Sequence, residues 1–149
     1  MAKLYYRGMA EDNGKPKVGR SARLLGVRPG IDIDIDQVPA DCIDLQGYLQ
    51  PISLDHQPQG ELVSIAIRNV KGMSVSLTIE GLPAFRKPAP FGGTGKDPLW
   101  QIDDSKISGD LLAVQDSATH VSILPSATML LEKYEAALAN TQSNWEQVS

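Results

Sequence analysis

The sequence predicts a single α+β domain whose strands are mixed but mostly antiparallel, and three observations carry that prediction. Strand signals recur along the whole chain and outnumber helical ones. The clearest, residues 73–79, alternates with period two. Met73, Val75, Leu77 and Ile79 share one face, and Ser74, Ser76, Thr78 and Glu80 share the other. A lone amphipathic helix, residues 128–140, gathers Leu130, Leu131, Tyr134, Ala137 and Leu138 on one side. At 149 residues the chain suits one domain, spanning 1–149, with a genuine core; two domains would each be small.

The elements follow in order. Residues 3–7 read as a first strand, rich in tyrosine. Residues 11–20, with Asn13-Gly14, Pro16 and Gly19, read as a mobile loop. Residues 21–25 read as a short helix closed by Gly26, before Pro29-Gly30 turns the chain. Ile31-Asp32-Ile33-Asp34-Ile35-Asp36 alternates strictly, as a strand with one wet face would. A calcium loop starting at Asp32 fails, because Gln37 and Ile43 stand where glycine and glutamate are needed. Residues 62–68 form another strand. Residues 83–98 carry Pro83, Pro88, Pro90, Gly92, Gly93, Gly95 and Pro98, and read as a long irregular loop of the kind that is functional or disordered. Short strands are expected at 99–102 and 111–114, and a longer one at 119–124, stopped by Pro125. Trp145 is expected to pack back on the core.

Composition narrows the function classes. Hydrophobic residues at 42% and charged residues at 21% suit a soluble globular protein, and a net charge of −4 gives no global pull toward nucleic acid or anionic membrane. A basic run of Lys15, Lys17, Arg20, Arg23 and Arg28 precedes an acidic run of Asp32, Asp34, Asp36, Asp41 and Asp44. One reading is a solvated surface whose charges partly cancel; the other is that some cations face an anion such as a pyrophosphate. Cys42 is the sole cysteine, so an internal disulfide and a thiolate metal cluster are both excluded. It reads as a buried or half-buried side chain, with a reactive thiol as the alternative. The N-terminus lacks an apolar stretch of signal-peptide length, and no segment approaches the ~20 apolar residues of a membrane span. A cytoplasmic protein is expected, with any export through a machine that reads no cleavable leader.

Several motifs are set aside on chemistry. Residues 92–96, Gly-Gly-Thr-Gly-Lys, resemble a P-loop only superficially. Pro90 takes the place of the first glycine, and Asp97 and Pro98 follow the lysine. The run reads as a connector or as a flexible loop closing Lys96 over a ligand. His56, in a polar turn, His120 on a strand and the lone Cys42 do not make a zinc set, so no metal is expected. There is no Gly-x-Ser-x-Gly elbow for a serine hydrolase.

What remains is a set of polar residues on remote strands. Arg7 directly precedes Gly8, and a guanidinium fork suits phosphate while glycine permits close backbone approach. Ser74 and Ser76 face together, either to solvent or into a cleft. His120 faces away from Val121 and Ile123 and is not forced into the core.

At these residues the chain resembles the ADP-ribosyltransferase-like toxins of the type VI secretion exported effector Tse-two family. The shared features are the early Leu-Tyr-x-Arg strand, Gly72-x-Ser74-Val75, and Ala118-Thr119-His120-x-x-Ile123-x-Pro125 followed by a methionine-led helix. The separations agree from about Leu4 to Trp145, and only the last motif is fairly specific. The resemblance implies a split β-sheet whose cleft holds NAD as substrate. It implies His120, Ser74 and Ser76 as catalytic residues, and Arg7, Ser74 and Thr119 as NAD-binding ones. The family's threonine falls at Met73, so a hydroxyl pair requires Ser76 as its second member. Neither Glu-x-Glu nor Gln-x-Glu is present near the last strands, which points away from protein arginine as acceptor. A nucleotide, DNA or water acceptor stays open. A cognate immunity protein and a secretion machine are implied partners, with nucleic acid only as an acceptor and no membrane. A non-enzymatic binding or delivery module, and an RNA 2′-phosphate-processing transferase, are the alternative classes.

Overall fold

The computed structural model describes residues 3–51, 55 and 57–148. Among them, eleven strands and one α-helix follow in order: β1 (Leu4–Gly8), β2 (Glu11–Asp12), β3 (Lys15–Pro16), β4 (Ile35–Pro39), β5 (Leu62–Ala66), β6 (Met73–Ser76), β7 (Leu99–Asp103), β8 (Leu111–Gln115), β9 (His120–Pro125), β10 (Met129–Leu130), α1 (Leu131–Ala139) and β11 (Glu146–Gln147). The main sheet has the order β11-β7-β1-β6-β9-β8, and a second has the order β10-β5-β4, with β2 and β3 forming a separate hairpin. The strand pairings are antiparallel, and parallel geometry is confined to isolated bridges such as Val18–Leu25 and Pro88–Gly95. This is the expected α+β architecture.

The core is built by period-two alternation. On β1 Tyr5 is buried with Arg7, while Leu4 and Tyr6 are half-buried on the other face. Trp100 and Ile102 from β7, Met73 and Val75 from β6, and Val121 and Ile123 from β9 join one apolar cluster. Each such side chain, once covered, contributes ~1.5–3 kcal/mol. Helix α1 closes the cluster with Leu131, Tyr134 and Leu138. The Tyr134 hydroxyl donates to the Ile123 carbonyl at 2.7 Å and accepts from the Met73 N–H at 3.2 Å, so the helix is bolted to the start of β6 and the interior of β9. Trp145 is buried as expected, its indole N–H on Thr141 Oγ1 at 3.0 Å. Cys42 is also buried and free.

Several elements differ from the sequence reading. The loop expected over 11–20 contains the β2–β3 hairpin, because Asn13 (φ 52°) and Gly14 (φ 79°) supply the two left-handed central residues of a tight turn. No helix forms over 21–25. Its backbone groups are taken from outside: the Leu25 N–H donates to the Lys17 carbonyl and the Arg23 carbonyl accepts from Ala10 N–H. Five residues are too few to nucleate a helix against that competition. The alternation at 31–36 becomes a strand only from Ile35, because Ile31 and Asp32 both donate backbone bonds to the Arg28 carbonyl and hold the chain in a turn. Residues 83–98 are irregular, with two single 3-10 turns at Ala84–Arg86 and Ala89–Phe91. The helix starts at Leu131 because Met129 and Leu130 pair with β5. His56 lies outside the described residues. Among the described residues no helix is long and apolar enough to cross a membrane.

Candidate functional site

The site sits where the main sheet splits. Strand β1 keeps five register pairs with β7 but only one, Tyr6 with Ser76, with β6. Past that pair β1 and β6 diverge, and the Ser74 carbonyl, which a continuous ladder would have satisfied, needs another donor. Arg7 supplies it and also ties in two carbonyls of the 24–26 segment. Its Nη1 donates to the Ser74 carbonyl at 2.7 Å, Nε and Nη2 to the Leu24 carbonyl at 3.3 and 2.8 Å, and Nη2 also to the Gly26 carbonyl at 3.5 Å. All but one of its N–H groups are thereby engaged, and the side chain is only 7% exposed. Burial pulls the guanidinium down to about 10 from its ordinary value; Asp32 offsets part of that, and Arg86 adds to it.

A cavity of about 310 Å³ opens in the split. Arg7, Ser74, Ser76 and His120, drawn from three remote segments, all line it. Ser76 stands directly across from His120, and Ser74 across from Ser122, so these side chains share a face of β6 and β9. The two serines are not equivalent. Ser74 is exposed and its hydroxyl has no bonded partner among the described residues. Ser76 is buried, and its hydroxyl donates to the Thr78 carbonyl at 2.6 Å, closing the turn that ends β6. Thr119 is not among the lining residues. It packs against Gly81, which does line the cavity: a β-carbon there would meet the Thr119 Oγ1 at 2.8 Å.

His120 is half-exposed at the cavity rim. Its Nδ1 lies 2.6 Å from Asp116 Oδ1, and its backbone N–H donates to Ser117 Oγ at 2.9 Å.

Three charged residues outside the expected site set also line the cavity: Arg28 and Asp32, noted in the sequence as members of the basic and acidic runs, and Arg86. Arg28 and Asp32 pair across the Pro29-Gly30 turn at 2.8 Å. Partial burial pushes the Asp32 carboxyl up, but hydrogen bonds and charge from Arg28 outweigh it and hold the carboxyl below its ordinary value. Arg86 also lines the cavity and has no carboxylate partner among the described residues; its guanidinium lies 4.9 Å from the Phe85 ring centre. The Arg-Pro-Gly-x-Asp spacing was a usable signal for the first pair. Nothing local marked Arg86.

Residues 92–96 explain how Arg86 is held. Their amides bond to the protein's own carbonyls: Thr94 N–H donates to the Ala84 carbonyl at 2.7 Å and Gly95 N–H to the Lys87 carbonyl at 2.9 Å. A β-carbon on Gly93 would meet the Lys87 carbonyl oxygen at 2.0 Å, and one on Gly8 would meet the Arg86 carbonyl oxygen at 2.3 Å. Both glycines let backbones touch. Lys96 is exposed and away from the cavity lining.

The basic run does not converge on the cavity. Arg20 pairs with Glu135 at 2.6 Å and Arg23 with Asp97 at 2.7 Å, and only Arg28 reaches the lining. Among the described residues no group of three or more His, Cys, Asp or Glu is placed to hold a metal ion.

Neither a curated protein nor a solved structure matches the chain. A family model described as Tse2 ADP-ribosyltransferase toxin does match, over residues 3–148. With nearly its whole length covered, and with Arg7, Ser74 and His120 around one hollow, the chain belongs to the Tse2 ADP-ribosyltransferase toxin family.

Proposed function

We propose that this chain cleaves NAD in the cavity between β1 and β6 and transfers ADP-ribose to an O–H acceptor, acting as a toxin in the cytoplasm of a target cell. The observation that carries the reading is the shared cavity of Arg7, Ser74 and His120 with the unpaired Arg86 at its wall. Small-molecule pockets run ~300–1,000 Å³, so about 310 Å³ suits nicotinamide with its ribose and leaves the adenosine half across the rim. The remaining Arg7 N–H and the Arg86 fork would meet the pyrophosphate. The free Ser74 hydroxyl would hold the nicotinamide ribose, while Ser76 braces the turn beneath it. Asp32, the carboxylate among the lining residues, supplies negative potential where positive charge develops as nicotinamide leaves. Type VI delivery and neutralisation by a cognate immunity protein complete this reading, and both rest on the family alone.

The RNA 2′-phosphate alternative drew its support from the basic run, whose arginines are each paired with a carboxylate. Of that run only Arg28 reaches the cavity lining. Nicotinamide release from NAD, followed chromatographically, tests the main reading. The parent protein should release it, and His120→Ala should fold yet lose ~10²–10³-fold, about 2.7–4 kcal/mol in the transition state. A parent protein that neither binds NAD calorimetrically nor releases nicotinamide would leave a non-enzymatic binding module instead.

A further inference from the structure

We propose that Asp116 is a positioning residue that fixes which ring nitrogen of His120 carries the hydrogen, and that His120 therefore meets its ligand as a hydrogen-bond acceptor through Nε2. The argument starts from the hairpin joining β8 to β9. The Asp116 N–H donates to the His120 carbonyl at 3.1 Å, and the His120 N–H donates to Ser117 Oγ at 2.9 Å, so the two residues are locked across a tight turn. Gln115 Nε2 donates to the Ser117 carbonyl at 2.8 Å and braces the same turn. Within that frame His120 Nδ1 lies 2.6 Å from Asp116 Oδ1.

A carboxylate has no hydrogen to give, so the hydrogen in this contact belongs to Nδ1. In the neutral ring Nε2 then carries the lone pair, and no protein group engages it among the described residues. His120 lines the cavity, so this lone pair is what the ring offers a ligand there. Such a nitrogen does not donate to a phosphate oxygen. It accepts from an O–H group: a ribose hydroxyl, water, or an alcohol on the acceptor.

This deepens the NAD reading and, for its catalytic consequence, rests on it. As the acceptor oxygen bonds to C1′ of the nicotinamide ribose, the C1′–N bond breaks and its electron pair leaves with neutral nicotinamide. The acceptor's proton passes to Nε2, and the resulting imidazolium stays hydrogen-bonded to Asp116. Serine-hydrolase triads use a carboxylate in the same way, holding the ring in one tautomer and stabilising its cation.

The test is ¹⁵N NMR of the ring at mildly alkaline pH, on the full chain. The sequence has only two histidines, so His120→Gln assigns the signals. The parent should show a protonated Nδ1 and an unprotonated Nε2 for His120. Asp116→Ala should move the hydrogen toward Nε2 and lower kcat for nicotinamide release at least ~10-fold, with KM within about twofold. Ser117→Ala, which loosens the turn without touching the ring, should keep the parent tautomer. Unfolding temperatures close to the parent's are expected, since both partners are exposed, at 42% and 46%. A parent spectrum with hydrogen on Nε2, or Asp116→Ala with unchanged tautomer and kcat, overturns the proposal. A parent with the expected spectrum but no NAD cleavage overturns the NAD reading and leaves the tautomer assignment standing.

Discussion

Arg7 shows how one side chain can serve the fold and the cavity at once. Its charge is costly where it lies: burial disfavours the cation and no carboxylate bonds to it, yet its donors satisfy three carbonyls, one on β6 and two on the 24–26 segment. Arg7→Lys should keep a cation but lose the planar fork, leaving at least one of those carbonyls unmet. We expect a loss of about 1–3 kcal/mol in urea unfolding, together with weaker pyrophosphate binding. Unchanged stability would mean that water replaces the fork and that bracing is not the role of Arg7. The sequence marked Arg7, Ser74 and His120 because each sits in a short motif with a chemical reason. It did not separate Ser74 from Ser76, since both share a face. The difference arises from a turn at Thr78 that takes only the Ser76 hydroxyl.

At the scale of elements, the loop over 83–98 is where the sequence said least and the structure says most. Its glycines read as freedom, but Gly93 and Gly95 are packed against the turn that carries Arg86. Gly93→Ala would drive a β-carbon into the Lys87 carbonyl, and the loop must move. We expect about 1–3 kcal/mol of destabilisation and weaker binding of NAD, as the Arg86 turn shifts. Gly92→Ala makes a useful contrast. It has open space, with only a left-handed φ of 86° to strain, so its effect should be confined to stability. Equal NAD affinity in the two variants would break the link between the glycine run and Arg86. The strands themselves were legible where alternation was backed by burial, as in β1 and β6, and β9 was legible as an apolar run stopped by Pro125. Residues 31–34 misled because the same alternation is produced by a turn in which Ile33 is buried and Ile31 exposed.

Over the whole molecule, carboxylates tie distant segments together and set the response to acid. Hydrogen bonds from Arg23 hold Asp97 below the ordinary range, the Tyr48 hydroxyl does so for Asp110, and Arg28 prevails over burial at Asp32. Each of these groups binds a proton less readily folded than unfolded. Their contribution is complete above the unfolded value of ~4 and is lost as pH falls through the lower folded values. Tm should therefore be flat from about pH 7 to 5 and drop below about pH 4. Asp97→Asn should shrink that drop, by less than ~1 kcal/mol because Arg23 is largely exposed. A drop of unaltered size in this variant would assign the acid response to other groups. The Arg23–Asp97 pair joins residues 74 positions apart, a reach that no local pattern in a sequence encodes.

Gly8 and the carbonyl of Arg86 leave no room between them for even a methyl group. The first strand and the distant proline-rich stretch must consequently change together or not at all. For a lineage that keeps this architecture, codon 8 has almost no freedom to drift, however tolerant its neighbours are.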